Sequence, residues 1–163
     1  MRAHRHKRQS ALALRSLVAA AFAVTLSTTG ANAQGAATGA AEHLTWGPAP
    51  AVFRKGARMA VVSGNPMASG EFVLRLDMPA GYRIAPHYHP TDEHLRVLRG
   101  TFLVGMGDHM NLRKTKRLTQ GDTITAPATM HHYAAARGHT MIEVSGTGPF
   151  QLTYVNPKDL PKP

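Results

Sequence analysis

The chain has 163 residues, with 19 lysines and arginines against nine acidic residues and no cysteine. This length favours one domain with a short extension and argues against two folded domains. The lack of cysteine excludes disulfides and thiolate metal ligands. The basic residues form no nucleic-acid-binding motif and few aromatics lie among them, so the charge does not indicate a nucleic-acid partner.

The first 33 residues have the pattern of a secretory signal peptide. Five basic residues precede an apolar run at 17–26, and the small residues of Ala31-Asn32-Ala33 follow it. The run is too short to span a bilayer. We therefore expect cleavage after Ala33 and a periplasmic or secreted protein that keeps no stable membrane anchor.

A linker and one domain are expected after this segment. Residues 34–42 consist largely of Gly, Ala and Thr, which bury too little apolar surface to become ordered, so a disordered linker is predicted. The folded domain is expected over residues 43–163. Trp46 is expected to anchor an extended arm on its surface.

Within the domain, short β-type stretches alternate with turn residues, and no long apolar pattern has the helical period. Over 71–78, Phe72, Leu74 and Leu76 share one face, as in a strand with one side on a core. The predicted strands are 58–63, 71–78, 83–89, 93–98, 101–106, 122–126, 132–136, 140–145 and 150–155. So many short strands predict an all-β sandwich or barrel.

A basic cluster, Arg113-Lys114-Lys116-Arg117, lies between two predicted strands. It could contact phosphate or an acidic surface, although a run of this kind is more often a solvated loop.

Candidate metal ligands lie at the end of one predicted strand and the start of the next. His87 and His89 are two residues apart, so on a strand their imidazoles project from the same face and can reach one ion. Glu93 then shares the apolar, inward face with Leu95 and Val97. Glu93 is therefore a ligand candidate, and His94 points outward.

The same segment resembles the first conserved motif of the cupin superfamily. Gly81, five residues, His87-Tyr88-His89, three residues, Glu93, six residues and Gly100 fill every fixed position of that motif. The inter-motif stretch is short, as in small single-domain bacterial cupins.

The second cupin motif is similar to Gly121, five residues, Pro127 and then His132, where the family places its third histidine ligand. Thr129 stands where the family usually has glycine, and Ala136 where it often has asparagine. The turn is therefore open to a different backbone shape, but no ligand is lost.

His131 competes with its neighbour for the ligand position. Adjacent strand residues face opposite ways, so only one of the two can point inward, and the family spacing favours His132.

The resemblance implies an all-β fold, the cupin-type double-stranded β-helix or jelly-roll barrel. It also implies one divalent transition metal ion per chain, held by His87, His89, Glu93 and His132, and pairing into a homodimer. Three imidazoles and one carboxylate suit Fe, Mn, Ni, Co, Cu or Zn, and the ligand set does not choose among them.

Residues around the metal would select a small-molecule substrate. From strand position, the expected pocket residues are Phe72, Arg83, Met106 and Tyr133. Phe72 and Met106 could instead pack in the core, and Arg83 could be a surface arginine. Glu143 is the candidate catalytic base besides a metal-bound water, with a salt bridge as its alternative.

Two functions stay open from the sequence. The first is an exported metal-dependent oxidoreductase, dioxygenase-like, acting on a small organic molecule. The second is a non-catalytic cupin that binds a small molecule or a metal. Both require the same four ligands, and the family uses its fold for both.

Overall fold

The structure is a computed structural model that describes residues 44–162. The expected signal peptide at 1–33 and linker at 34–42 lie outside the described residues. Residues 44–162 form eleven β-strands and two short 3₁₀ helices. No helix in this part of the chain has the length and apolar character needed to cross a membrane.

The elements follow one another along the chain as a series of short strands. The strands are β1 Gly47–Pro48, β2 Arg58–Ser63, β3 Gly70–Met78, β4 Arg83–Tyr88, β5 Glu93–Arg99, β6 Thr101–Met106, β7 Lys116–Thr119, β8 Thr123–Ala126, β9 His132–Ala136, β10 Thr140–Gly148 and β11 Thr153–Tyr154. The 3₁₀ helices are Leu112–Lys114, between β6 and β7, and Pro157–Asp159, after β11.

The strands form two antiparallel sheets. The six-stranded sheet has the order β1-β2-β3-β10-β5-β8, and the five-stranded sheet has the order β11-β4-β9-β6-β7. Strands far apart in sequence are neighbours, since β10 lies between β3 and β5 while β9 lies between β4 and β6. The structure confirms the predicted all-β jelly-roll barrel.

The core lies between the two sheets. On β3, Phe72, Leu74 and Leu76 are buried, whereas Val73 and Arg75 on the other face are partly exposed. Facing residues from the other strands complete the core, which includes Leu95, Val97, Phe102, Val104, Ile142 and Val144. The alternation in the sequence thus positions the apolar side chains as predicted.

Three predicted strands have the observed bounds, and the largest differences lie near β7 and the C-terminus. The basic cluster is not a simple loop, because Lys116 and Arg117 begin β7 at the edge of its sheet. These exposed charges precede the buried Leu118 and oppose pairing of this edge with another strand. The predicted strand at 150–155 shortens to β11.

A tyrosine packs directly on a glycine on the outer face of the five-stranded sheet. Gly105 of β6 pairs with Tyr133 of β9, and a Cβ at Gly105 would overlap the ring of Tyr133. Tyr133 is 1% exposed, and its hydroxyl donates to the Asn111 carbonyl at 3.0 Å. The Tyr133 ring is therefore held in place and cannot move away from a side chain at position 105.

We expect Gly105→Ala to lower the free energy of unfolding by about 1–3 kcal/mol, because an overpacked buried site forces its neighbours to shift. Equilibrium urea unfolding measures the change. Gly138→Ala is the matched control, since a Cβ there meets no atom within 4 Å. Its free energy of unfolding should change by about 0.5 kcal/mol or less. Equal losses in both variants would contradict the close contact.

Candidate metal centre

Three histidines and one glutamate meet at one end of the barrel. His87 lies on β4 and pairs with His132 at the start of β9, so the two imidazoles lie side by side. His89 follows β4, and Glu93 opens β5 in the opposite sheet. All four side chains are buried. The structure therefore brings together the four residues that the sequence predicted as ligands.

An extra residue in β4 sets the direction of His87. The pairing with β9 is regular at Arg83 and Ile84, then shifts before His87, so three steps along β4 match two along β9. A bulge of this kind reverses the inward and outward alternation. Ile84 and His87 therefore both face inward, although they are three residues apart on one strand. Arg83, next to Ile84, is exposed. The expected place of Arg83 in the substrate pocket was wrong for this reason.

The ligand atoms of the four residues are close together. One nitrogen from each of His87, His89 and His132 lies within 4.8 Å of the other two. The Glu93 carboxylate lies 3.5 Å from His89 Nε2 and 3.3 Å from His132 Nε2. Three imidazoles and one carboxylate therefore face a common point.

Backbone carbonyls fix the orientation of the three imidazoles. His87 Nδ1 donates to the Ala85 carbonyl at 2.8 Å, and His89 Nδ1 donates to the Gln151 carbonyl at 2.6 Å. His132 Nδ1 donates to the Met130 carbonyl at 2.9 Å. A carbonyl only accepts, so Nδ1 carries the proton and Nε2 of the neutral ring keeps its lone pair.

The lone pairs turned toward the centre lack partners. Nε2 of His89 and Nε2 of His132 are buried and make no hydrogen bond. A buried polar atom without a partner is costly and rare. A metal ion bound by the Nε2 atoms would satisfy them, and a carbonyl bond at Nδ1 is the usual outer support of a histidine ligand. The donor set therefore fits a divalent transition metal.

The electrostatics keep most of these imidazoles neutral. Burial, reinforced by His132, lowers the pKa of His87 to about 3. Burial also lowers the pKa of His89. For His132, burial lowers the pKa, but Glu93 outweighs this effect and the pKa is raised. Burial raises the pKa of Glu93, but His132 and His89 outweigh it and hold the pKa below its ordinary value. The site thus offers the Glu93 carboxylate and the neutral nitrogens of His87 and His89 to a cation, while Glu93 favours the protonated form of His132 until a cation replaces its proton.

A tight turn at 127–130 connects two of the histidines. The Met130 amide donates to the Pro127 carbonyl at 3.0 Å, and the Thr129 amide donates to the His89 carbonyl at 2.8 Å. The Ala128 amide donates to Asp92 Oδ1 at 2.7 Å. Since the Met130 carbonyl also holds His132, this turn positions both imidazoles.

Thr129 adopts the backbone conformation that glycine favours. Its φ is 63°, and no other non-glycine residue in 44–162 has a positive φ. A β-branched residue in this region is strained, at a cost of about 1–3 kcal/mol. Three hydrogen bonds at the turn hold the strained conformation. Threonine at this position therefore stores strain beside the candidate site.

We expect Thr129→Gly to raise the free energy of unfolding by about 0.5–1 kcal/mol, because relief of strain exceeds the extra freedom of the unfolded chain. Thermal or urea unfolding measures the change. Thr123→Gly is the control, since Thr123 is exposed on β8 and glycine there should instead destabilise the strand. A loss of stability in Thr129→Gly would show that the turn is not strained.

A small apolar cavity adjoins the site. It has a volume of about 20 Å³ and is lined by His87, Glu93 and His132 together with core side chains. Phe150 also lines it and stacks on His89, with ring centroids 4.8 Å apart. Phe72 lies behind Phe150, at 5.2 Å, and so serves in core packing. Sequence reasoning did not predict Phe150, because only a contact 61 residues distant in sequence brings it to His89.

Three further predicted site residues lie outside this cavity. Tyr133 faces the outer side of its sheet, because its neighbours His132 and Ala134 face inward. Met106 is 47% exposed at the end of β6. Glu143 pairs with Arg75 at 2.9 Å, between the inward Ile142 and Val144. Glu143 therefore forms the salt bridge that was its alternative role, and it does not line the cavity where a catalytic base would lie.

The two adjacent histidines take different places. His131 is partly exposed, bonds Asp108 at 2.6 Å and stacks on Tyr88. Only His132 points toward His87, as the spacing predicted.

Comparison with known proteins agrees with this fold. Residues 74–145 match the family model of the cupin domain. A "putative acetylacetone dioxygenase" from Methylibium petroleiphilum PM1 is 21% identical, with a TM-score of 0.55 over 74% of this chain and 81% of that chain. The polyketide cyclase RemF from Streptomyces resistomycificus is 16% identical, with a TM-score of 0.54 over 66% of this chain and 76% of that chain.

A third similar structure is the DMSP lyase DddQ from Ruegeria pomeroyi DSS-3, which is 21% identical with a TM-score of 0.54 over 64% of this chain and 54% of that chain. No curated protein matches the sequence. At these identities the neighbours establish the fold and not the reaction. The match over 74–145 and the shared architecture together support a cupin, with the cupin-type jelly-roll barrel as the fold of the described chain.

Proposed function

We propose that this protein is an exported cupin in which one metal ion serves a dioxygenase-like oxidation of a small organic molecule. The observation that carries the proposal is the convergence of three buried imidazoles and one carboxylate on a common point. The export part depends on the signal-peptide pattern of residues 1–33.

His87, His89, Glu93 and His132 are the residues that would hold the ion. In this site a bound Fe, Mn, Ni, Co or Cu ion would supply Lewis-acid or oxygen chemistry at positions that the protein leaves open. The chain contributes three imidazole nitrogens, fixed by the carbonyl bonds of their rings, and the negative charge of Glu93.

The cavity lining supports oxygen chemistry over reactions that need a protein base. Among the described residues that line it, the titratable groups are His87, Glu93 and His132, and all three belong to the proposed ligand set. Within residues 44–162 no further acid or base lines the cavity. Hydrolysis or isomerisation driven by an independent side-chain base therefore has less support.

The size of the cavity gives specific support to the alternative function. A volume of about 20 Å³ holds roughly one water-sized molecule. Dioxygen fits such a space, but an organic substrate would have to displace side chains such as Phe150 or bind at the mouth. A non-catalytic cupin that only binds a metal would need no such displacement, so this second function is kept.

Metal content tests the ligand set. We expect about one transition metal ion per chain in the protein purified from its native compartment, and almost none in a His87→Ala/His132→Ala variant. Elemental analysis measures both. The control is His94→Ala/His131→Ala, because His94 bonds the exposed Thr125 hydroxyl and His131 faces Asp108. Equal metal loss in both double variants, or no metal in the wild-type protein, would contradict the proposed centre.

Oxygen uptake tests the reaction. We expect the metal-loaded protein to consume dioxygen with a small organic substrate, and the rate to fall to background in the His87→Ala/His132→Ala variant. Acetylacetone, which appears in the name of one structural neighbour, is a suitable first compound in a panel of small ketones, acids and phenols. Stoichiometric metal without oxygen uptake across the panel would favour the non-catalytic alternative.

A further inference from the structure

A second cavity lies on the outside of the barrel and shares no lining residue with the cavity at the metal site. It is a surface groove of about 540 Å³ beside the start of β4 and the C-terminal segment. Its charged lining residues are Arg54, Lys55, Arg83, Lys158, Asp159 and Lys162. We call it the basic groove.

Positive charge dominates the basic groove. Five of its lining side chains are basic and one, Asp159, is acidic. Within residues 44–162, no carboxylate oxygen lies within 4.0 Å of any of the five, although Arg75 and Arg99 elsewhere form such ion pairs. Like charges gathered without partners repel one another, and an anion that binds among them relieves this repulsion.

A partly buried hydrogen bond of Tyr82 links the chain segments that carry the two arginines of the groove. The Tyr82 hydroxyl donates to the Arg54 carbonyl at 2.6 Å, and Tyr82 directly precedes Arg83 in the chain. Tyr82 is 7% exposed, and burial raises its pKa to about 12, so the hydroxyl keeps its proton. The backbones that carry the two guanidinium groups are therefore held near each other by the fold.

We propose that the basic groove binds a small molecule that carries two or more phosphate groups. Its volume lies in the range of roughly 300–1,000 Å³ that is usual for small-molecule sites. Five basic side chains and one acidic side chain give the groove a net charge of +4. Each phosphate brings a charge of about −1.5 to −2, so two phosphates bring about −3 to −4 and nearly balance the groove. Arginine binds phosphate with two parallel hydrogen bonds.

The apolar part of the lining suits the rest of such a molecule. Ala85, Met110, Leu160 and Pro161 contribute apolar surface beside the charges, and Leu160 is 54% exposed. A ligand with an organic body and clustered phosphates would therefore contact both kinds of surface.

Calorimetric titration with inorganic pyrophosphate at about 0.15 M salt tests the proposal, since this ionic strength screens diffuse attraction beyond about 8 Å. The purified protein should bind pyrophosphate saturably. Arg54→Gln/Arg83→Gln should weaken binding by about tenfold or more, as expected when two charge-assisted contacts are lost.

The control removes the same charge elsewhere. Arg96 and Arg137 are exposed and line neither the groove nor the metal cavity. Binding to Arg96→Gln/Arg137→Gln should stay within about twofold of wild type. Equal weakening in both double variants would show that binding depends only on the net charge of the protein, and would overturn the proposal. The absence of saturable binding would also overturn it. Lys55→Gln/Lys158→Gln provides a second groove variant, and thermal unfolding checks that each variant is folded.

Pyrophosphate also binds metal ions, so the metal centre needs its own control. The titration is repeated on the His87→Ala/His132→Ala variant, and binding in the groove should persist there. Binding that disappears in this variant would place the anion at the metal centre and overturn the proposal. Binding in the basic groove can therefore be tested independently of the proposed oxidation.

Discussion

The site depends on the pairing of β4 with β9. This pairing sets His87 opposite His132, and the extra residue before His87 turns its imidazole into the barrel. Because a shift of one residue moves a whole run of side chains to the other face, the site is sensitive to this register. The same extra residue frees the Ala85 carbonyl to hold His87 Nδ1. Backbone geometry thus determines both the position and the tautomer of a proposed ligand.

Burial of these polar groups works against folding, and the arrangement offsets it only in part. The carbonyl bonds satisfy one nitrogen of each imidazole, and Glu93 lies between His89 and His132 with a pKa held low. Two inner nitrogens still have no partner. A buried polar group without a partner costs roughly 1–3 kcal/mol. The strained turn at Thr129 adds to this cost and lies beside the same residues. Strain and unsatisfied atoms that gather at one end of a well-packed barrel are typical of a functional site.

Local patterns in the sequence predict much of the fold. Alternation at Phe72, Leu74 and Leu76 places them in the core, and the two-residue spacing of His87 and His89 places both at one centre. These features depend on the period of a strand, which neighbouring residues express directly. The same rule could have excluded Tyr133 and Glu143 from the pocket, since each lies next to residues that face inward.

The remaining errors have a different origin, because they depend on contacts between distant parts of the chain. Nothing near Arg83 in the sequence reveals that β4 gains a residue relative to β9, so its outward direction follows only from the pairing. Phe150 reaches His89 because the segment after β10 folds back across the end of the barrel, where the Gln151 carbonyl also holds His89. Two adjacent residues, Phe150 and Gln151, therefore supply an apolar cover and a hydrogen bond to one imidazole. Since covering residues of this kind come from distant parts of the chain, the sequence motifs locate the candidate ligands well and specify the pocket around them poorly.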